Sequence, residues 1–514
     1  MIIESIITIL FIISSIVIGM RMLISLQLNG YRVRKKAYLI PLNVKQLIEF
    51  SSLLFLGLLT ILSVKFGTIL TYSITITITL SLIVYYVNDY IKLRTKFKFT
   101  ARGTRFYIFY VLILTIMHLI ISMLSVELIF HRLFSITLLL MSGLLAICVS
   151  MILSPLEFLN SLKYIKIAKN KLLNLNAIKI GISGSYGKTS CKNILGAMLA
   201  KKYKVIKTEG NRNTPMGICL TTNNMTSDAE VFIAEMGARR RGDIKKLCDI
   251  VKPTCALLTG ISNQHMSEFG SLEKIYQTKS ELIKALPRDG IAIFNGDDPL
   301  ITKLRKEFTG DSVAVHLRDE QEVYAKNIKL STNGISFEIF GLSTPFKVST
   351  KLLGRHNVLN ILMCSVMAYK LGISPNEIAS ALSELEPIPH RLQIIKNTGE
   401  ITIIDDSYNA NISGSIFALE VLKLYSGRKI VFSQGLVELG KLNNRYNRHL
   451  GAVIGKTADV IILTGQNTNS LLKGIDSVGF SGTVYRYKSF KEATVNIKEI
   501  LKPGDVLLIQ NDIP

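Results

Sequence analysis

The spacing of apolar positions changes character near residue 155. Before it, long apolar runs recur at 5–25, 47–64, 67–87, 106–124 and 133–153, each near the ~20 residues that a helix needs to cross a bilayer. A cleaved leader has one short apolar core, so five runs predict a multi-pass region over 1–155. Residues 156–176 (LEFLNSLKYIKIAKNKLLNLN) interleave Leu and Ile with Lys at near-helical spacing. That stretch reads as an amphipathic linker, either a plain helix or one lying on an anionic leaflet. After 176 the period shortens. Brief β-branched runs alternate with helical stretches and Gly-rich turns, which predicts α/β architecture around a mostly parallel sheet. The fold class expected is a membrane α-helical region followed by α/β.

Composition agrees. Hydrophobic residues make up 48% of the 514, charged residues only 19%, and mean hydropathy is +0.35. Disorder is excluded, and a wholly soluble enzyme would carry about 25% charged residues. The net charge of +24 would suit a nucleic-acid partner, but its distribution says otherwise. The first loop holds Arg32, Arg34, Lys35, Lys36 and Lys45, and the third holds Lys92, Arg94, Lys96, Lys98, Arg102 and Arg105. The second loop has little beyond Lys65, and the fourth has Glu127, His131 and Arg132. Basic loops face the cytoplasm, so five spans place the N-terminus outside and everything after 155 inside. A multi-pass cell-membrane protein with cytoplasmic catalytic domains, a lipid bilayer as partner and no nucleic acid is expected. His118 falls within the fourth span, where an imidazole either bonds a neighbouring helix or marks a functional site. The six cysteines form no CxxC pair and have no His at ligand spacing, which argues against a zinc ribbon or disulfide framework and fits a reducing compartment.

The chemistry begins at residue 177. AIKIGIS (177–183) reads as a buried strand, GSYGKTS (184–190) as a turn, and CKNILGAMLAKKY as a helix. Strand, Gly-rich turn and helix N-terminus make an anion site, because backbone N–H groups converge there and the helix dipole favours phosphate. Lys188 would reach the outer phosphates and Thr189 would offer its hydroxyl to Mg²⁺. The loop departs from the standard P-loop: Ile182 stands where the first glycine belongs, and the glycines fall at Gly181, Gly184 and Gly187.

GISGSYGKTS (181–190) resembles the phosphate loop of the Mur ligases, the ATP-dependent amide ligases of peptidoglycan precursor synthesis, which include folylpolyglutamate synthase. The resemblance continues in order through TEGNRNTPMG (208–217), AEMGARRRGDI (234–244), GISNQHMSEFGSLEKIYQTKSEL (260–282), NGDDP (295–299), LLGRHNVLN (352–360), PHRL (389–392), DDSYNAN (405–411) and GLVELG (435–440). It implies a P-loop-type central ATP-binding domain over 177–386 and a Rossmann-like C-terminal domain over 387–514. The DSYNAN and ELG pair is most like the branch that adds D-alanyl-D-alanine to a muramyl tripeptide. The implied reaction activates a carboxylate as an acyl phosphate and delivers it to an amine, with ATP and Mg²⁺ as cofactors. Such an enzyme must neutralise phosphate charge and hold the reactants in line.

Roles carry over by position. Gly184, Ser185, Gly187, Lys188, Thr189 and Ser190 would cradle the nucleotide. Glu235, at a strand's carboxyl end, would hold Mg²⁺ with Thr189. His265 would help hold a second Mg²⁺, and Lys279, as an N-carbamylated lysine, would give that metal a carboxylate. Asn295 would read adenine, Asp406 the ribose, and Arg391 would clamp the phosphoryl group. Asn211, Asn213 and Thr214, with Ser407, Tyr408, Asn409 and Asn411, would meet the substrates. His356 and Asn357 would lie near the nucleotide or the hinge, or serve a structural role. Glu438 would orient the acceptor region or cap a helix. The catalytic set is thus Lys188, His265, Lys279 and Arg391.

Three departures stand out. Thr278 replaces Ala, His390 replaces the Gly that usually precedes the arginine, and Ile412 replaces a Pro. A fourth is architectural: apolar spans occupy the place of the soluble N-terminal domain that grips UDP in muramyl-substrate ligases. The expected reaction is addition of D-alanyl-D-alanine to a muramyl tripeptide, with a nucleotide-linked or lipid-linked peptide or sugar and an amino acid or dipeptide as partners. The alternatives are a polyglutamate-type polymer product or a non-catalytic membrane scaffold.

Overall fold

The computed structural model describes residues 2–28, 31, 68–92, 96–124, 128–263, 266–396, 401–408, 411–437 and 439–510. Two compact units divide the chain between Lys163 and Tyr164.

The first unit is helical: α1 (Ile2–Leu28), α2 (Thr68–Lys92), α3 (Ala101–Leu124) and α4 (Leu128–Asn174). Ile3–Leu28, Ala101–Leu124 and Leu133–Asn174 are long and apolar enough to cross a membrane, and Tyr72–Asn88 is a shorter apolar stretch of α2. The expected span at 47–64 lies outside the described residues. Leu23, Phe106, Tyr110, Leu114, Ala146 and Val149 pack together at the centre. His118 Nε2 meets Ser15 Oγ of α1 at 3.2 Å, and Tyr110 donates to the Ser15 carbonyl at 3.0 Å. His118 and Tyr110 thus each reach a partner on a neighbouring helix.

The last expected span and the expected linker form one helix, α4, which runs through Pro155. In its final turns Ala168 and Leu172, with Leu175 just beyond, join a core cluster of the second unit. Lys171 donates to the Asn223 carbonyl at 3.1 Å. Only the end of the 156–176 pattern is buried in this way, while Leu156, Phe158, Leu159, Leu162 and Ile167 stay exposed.

The second unit opens with β1 (Ile178–Ser183), α5 (Lys188–Leu199), β2 (Val205–Lys207), α6 (Pro215–Asn224), β3 (Val231–Glu235), α7 (Asp243–Val251), β4 (Cys255–Leu258), α8 (Leu272–Lys284), β5 (Ile291–Asn295), α9 (Pro299–Arg305) and β6 (Asp311–His316). Strands β7 (Val323–Ser331), β8 (Gly334–Phe340) and β9 (Phe346–Thr350) follow, then α10 (His356–Lys370) and α11 (Pro375–Glu384). The nine strands form one sheet ordered β2-β3-β1-β4-β5-β6-β7-β8-β9, parallel up to β7 and antiparallel beyond. Side chains alternate across it. Val231 and Ile233 of β3 join α5, α10 and α11 in one core, while Phe232 and Ala234 join α7 and α8 in another. Strands covered on both faces read as continuous apolar runs, and VFIA is one.

The remainder is a second sheet, with β10 (Gln393–Lys396), β11 (Thr402–Asp405), α12 (Ile412–Leu422), β12 (Lys429–Ser433), α13 (Asn443–Gly455), β13 (Val460–Thr464), α14 (Thr468–Asp476), β14 (Thr483–Tyr487), α15 (Phe490–Ile500) and β15 (Val506–Gln510). Its order is β10-β11-β15-β12-β13-β14, parallel except at β10. Central β15 and flanking β12 are tied at one end by Arg428, which forks onto Asp505 at 2.8 and 2.6 Å.

Candidate active site

The loop after β1 is shaped by close contacts. Gly184 takes φ +150°, and a Cβ there would lie 2.0 Å from Thr259 Oγ1. Gly187 takes φ +76°, and its Cβ would lie 2.7 Å from Asn360 Oδ1. Only glycine fits either place without strain. Ser185 is pinned to the β4 side: its N–H donates to Gly260 O at 2.7 Å, and its hydroxyl accepts from Ser262 N at 3.0 Å. Gly187 then starts α5 with no side-chain cap, which leaves the first N–H groups of the helix available to an anion. Ser190 is buried in that first turn. Lys188 Nζ donates to the Gly184 carbonyl at 2.7 Å. Burial draws its pKa down; Glu235 opposes that and Arg391 adds to it.

Glu235 ends β3, one strand over from the loop, because β1 and β3 are parallel neighbours. Its carboxylate is buried and held by side-chain donors. Oε2 accepts from Thr189 Oγ1 at 3.0 Å and pairs with Lys192 Nζ at 3.0 Å, while Oε1 accepts from Asn213 Nδ2 at 3.1 Å. Its N–H donates to Thr208 Oγ1 at 3.1 Å. Burial pushes the carboxyl pKa up, but Lys192 and Lys188 outweigh it and the group stays below its ordinary value. A buried carboxylate beside a threonine hydroxyl is the hard oxygen set that Mg²⁺ prefers.

Lys279 sits on the buried face of α8, 4% exposed. Among the described residues no hydrogen bond or ion pair reaches its ammonium. Burial and then Lys188 hold its pKa well below the amine range, against weaker pulls from Asp243, Glu235 and Glu281. An amine kept neutral is the form that adds carbon dioxide.

The C-terminal domain faces this cluster. Arg391 lies over the Tyr408 ring at 4.4 Å, and the charge of Arg391 acts on Lys188 and that of Glu235 on Tyr408. His356 stacks on Phe417 at 5.5 Å, and burial followed by Arg391 takes its pKa down to about 4. His390, the departure from glycine, adopts φ +60°. That conformation explains why glycine suits the position, and a 2.6 Å contact from its Nδ1 to Asp405 Oδ2 holds it in this chain.

Most of the other expected residues make local contacts. Asn295 uses both ends of its amide: Nδ2 donates to Thr259 O at 2.9 Å and Oδ1 accepts from Asp297 N at 3.1 Å. Thr214 caps α6 and Asn411 caps α12. Asn357 donates to Leu353 O at 2.8 Å and accepts from Asn360 at 3.0 Å. Asp406 N–H donates to Ile509 O at 2.9 Å, tying the motif to β15. Ser407 is buried behind Asp405, and Asn211 is exposed. His265, Asn409 and Glu438 lie outside the described residues. Sequence reasoning did not single out Lys192, Thr208 or Asn360. The spacing Lys188 to Lys192, one helical turn, was the available signal for the first. Away from this cluster, Asp297, His316 and Asp319 bring ligand-type atoms within 4.8 Å of one another.

Residues 182–368 match the Mur ligase middle domain, and 390–510 match the Mur ligase glutamate ligase domain. Over 349 residues the chain is 31% identical to the UDP-N-acetylmuramoyl-tripeptide–D-alanyl-D-alanine ligase of Bacillus subtilis, covering 67% of this chain and 75% of that one. This chain belongs to the Mur ligase family. The MurF ligase of Thermotoga maritima, solved with ADP, superposes on this Mur ligase with a TM-score of 0.61 at 26% identity, covering 68% of this chain and 80% of that one. MurF of Acinetobacter baumannii shares the fold, with a TM-score of 0.62 at 24% identity over 68% and 77% of the two chains. Both domain matches begin beyond the apolar helices.

Proposed function

We infer that this Mur ligase uses ATP to join D-alanyl-D-alanine to a UDP-N-acetylmuramoyl tripeptide, the reaction named by its Bacillus subtilis relative. The observation that carries the reading is the convergence of Lys188, Thr189 and Glu235 at the edges of β1 and β3, with Arg391 acting on Lys188 from the other domain. The tripeptide carboxylate takes the terminal phosphoryl of ATP and releases ADP. The dipeptide amine then attacks the acyl carbon, loses a proton, and expels phosphate.

In that sequence the glycine loop and the start of α5 bind phosphate oxygens, and Lys188 and Arg391 offset their charge. Mg²⁺ fits the oxygen pair of Thr189 and Glu235, where it would neutralise phosphate charge. Lys279 fits carbamylation, since it is buried, without a partner among the described residues, and held toward its neutral form. With His265 it would complete a second metal site. Asn213, bonded to Glu235, and Tyr408, beside Arg391, would line the places of the two substrates. Asn295 and Asp406 would border the nucleoside.

The helices α1, α3 and α4 support a bilayer partner. Ile108, Leu112, Ile116, Leu119 and Met123 of α3 are all exposed, a surface that suits lipid better than water. This feature favours a second reading in which the acceptor is lipid-linked. Membrane fractionation tests the anchor. ADP release by the detergent-solubilised chain, with UDP-N-acetylmuramoyl tripeptide, lipid-linked peptide or glutamyl acceptors offered in turn, tests the substrate. Release only with the nucleotide-linked tripeptide and D-alanyl-D-alanine supports the first reading. Release with none of them overturns the ligase assignment.

A further inference from the structure

Lys192 is buried to 2% side-chain exposure, lies one turn beyond the phosphate-loop lysine, and has no place in the chemistry set out above. Among the described residues its Nζ has two partners. One is Glu235 Oε2 at 3.0 Å, and the other is the Gly210 carbonyl at 2.6 Å. Glu235 Oε2 is also the oxygen that Thr189 contacts. The ammonium therefore stands on the same carboxylate oxygen as the Thr189 hydroxyl, within the pair that would hold the metal. Gly210 belongs to the loop between β2 and α6. That loop also sends Thr208 to the Glu235 N–H and Asn213 to Oε1.

We propose that Lys192 is a positioning residue that competes with the divalent cation for Glu235 and couples metal loading to the 208–214 loop. The inference rests on the reading of Glu235 and Thr189 as magnesium ligands. A charge of +1 in contact with a buried carboxylate keeps it ionised and ordered when no metal is bound. The same charge repels an arriving cation across a few ångströms of low-dielectric interior. The second anchor, Gly210 O, gives the ammonium a partner that does not depend on Glu235. A metal held by Glu235 and Thr189 would shift the balance of Lys192 toward the loop, and a substrate that orders the loop about Gly210 would shift it the same way. Such linkage is reciprocal.

The test is Lys192→Met and Lys192→Gln in the full detergent-solubilised chain, with magnesium titrated at fixed non-hydrolysable ATP analogue and read by thermal unfolding. Wild type is expected to show magnesium-dependent stabilisation. In both variants half-saturating magnesium is expected to fall by about fivefold or more. The variants without ligand are expected to unfold at a lower temperature than wild type, and the gap is expected to narrow when metal and nucleotide are present. Gln keeps a donor and loses the charge, so it carries the test if Met does not fold. Magnesium curves that superimpose on wild type, or shift to higher concentration, would overturn the competition while leaving the ligase reading intact. A wild-type chain that shows no magnesium-dependent nucleotide binding would instead remove the ligand assignment beneath it.

Discussion

Lys279→Met replaces a buried amine by an unbranched apolar chain of similar length. Lys279 is 4% exposed, and among the described residues no acceptor reaches it. Leaving a polar group unsatisfied in the interior costs roughly 1–3 kcal/mol, and methionine removes that cost while filling the same space on α8. At about 2–4 °C per kcal/mol for domains of some 150–250 residues, the variant's Tm should rise by roughly 2–12 °C in bicarbonate-free buffer. Proton linkage adds a signature. The folded-state pKa lies well below the ordinary 10.5, so the unfolded chain binds the proton more readily. Wild-type stability should therefore climb as pH rises toward 10.5, and the variant should lose that component. Function should move the other way: ADP release should fall to background if a carbamate on this lysine is needed. The assays are differential scanning fluorimetry with and without bicarbonate, and a coupled ADP assay. Bicarbonate should stabilise wild type and leave the variant unmoved. Lys279→Ala should be inactive as well, and partly rescued by short-chain carboxylates. A Met variant that turns over normally, or that melts below wild type, would refute the reasoning.

Lys188→Ala should lower turnover by about 10²-fold or more while far-UV circular dichroism stays unchanged; full activity would contradict the phosphate-loop assignment. Gly187→Ala places a Cβ 2.7 Å from Asn360 Oδ1 at φ +76°, so it should cost about 1–3 kcal/mol in denaturant unfolding and weaken nucleotide binding. His356 takes a proton near 6.5 when unfolded and only at about 4 in the fold, so stability should fall as pH drops through that interval, by up to about 1.4 kcal/mol per pH unit. His356→Gln should flatten the slope, and an unchanged profile would remove His356 from the acid transition. Asp505→Ala breaks the fork from Arg428 between β12 and β15 and should cost about 1–3 kcal/mol, read by urea midpoint.

What could be read in the chain beforehand was whatever is contiguous. Apolar runs announced the helices α1, α3 and α4, because a helix long enough to cross a bilayer needs some 20 adjacent apolar residues. Strand β1, the glycine turn and the start of α5 lie within about a dozen consecutive residues, so the strand–turn–helix was legible by itself. Glu235 was legible because it closes an apolar strand. The sequence also registered His390 as a departure, but only backbone geometry gave the reason, a left-handed φ held by Asp405.

Tertiary structure decided which distant groups meet. Lys192 looks like any helix-surface lysine until β3 is laid beside β1 and brings Glu235 to it. Asn360 touches Gly187 only because α10 packs across α5. Only the fold shows that the Asn295 amide fastens β5 to the end of β4. The end of the amphipathic stretch was an open choice between leaflet and linker, and Ala168 and Leu172 settled into the core of the second unit. Local periodicity fixes which face of an element is apolar, since that follows from 3.6 or 2 residues per turn. The partner of each face depends on chain crossings tens to hundreds of residues apart, and a linear pattern carries no term for those.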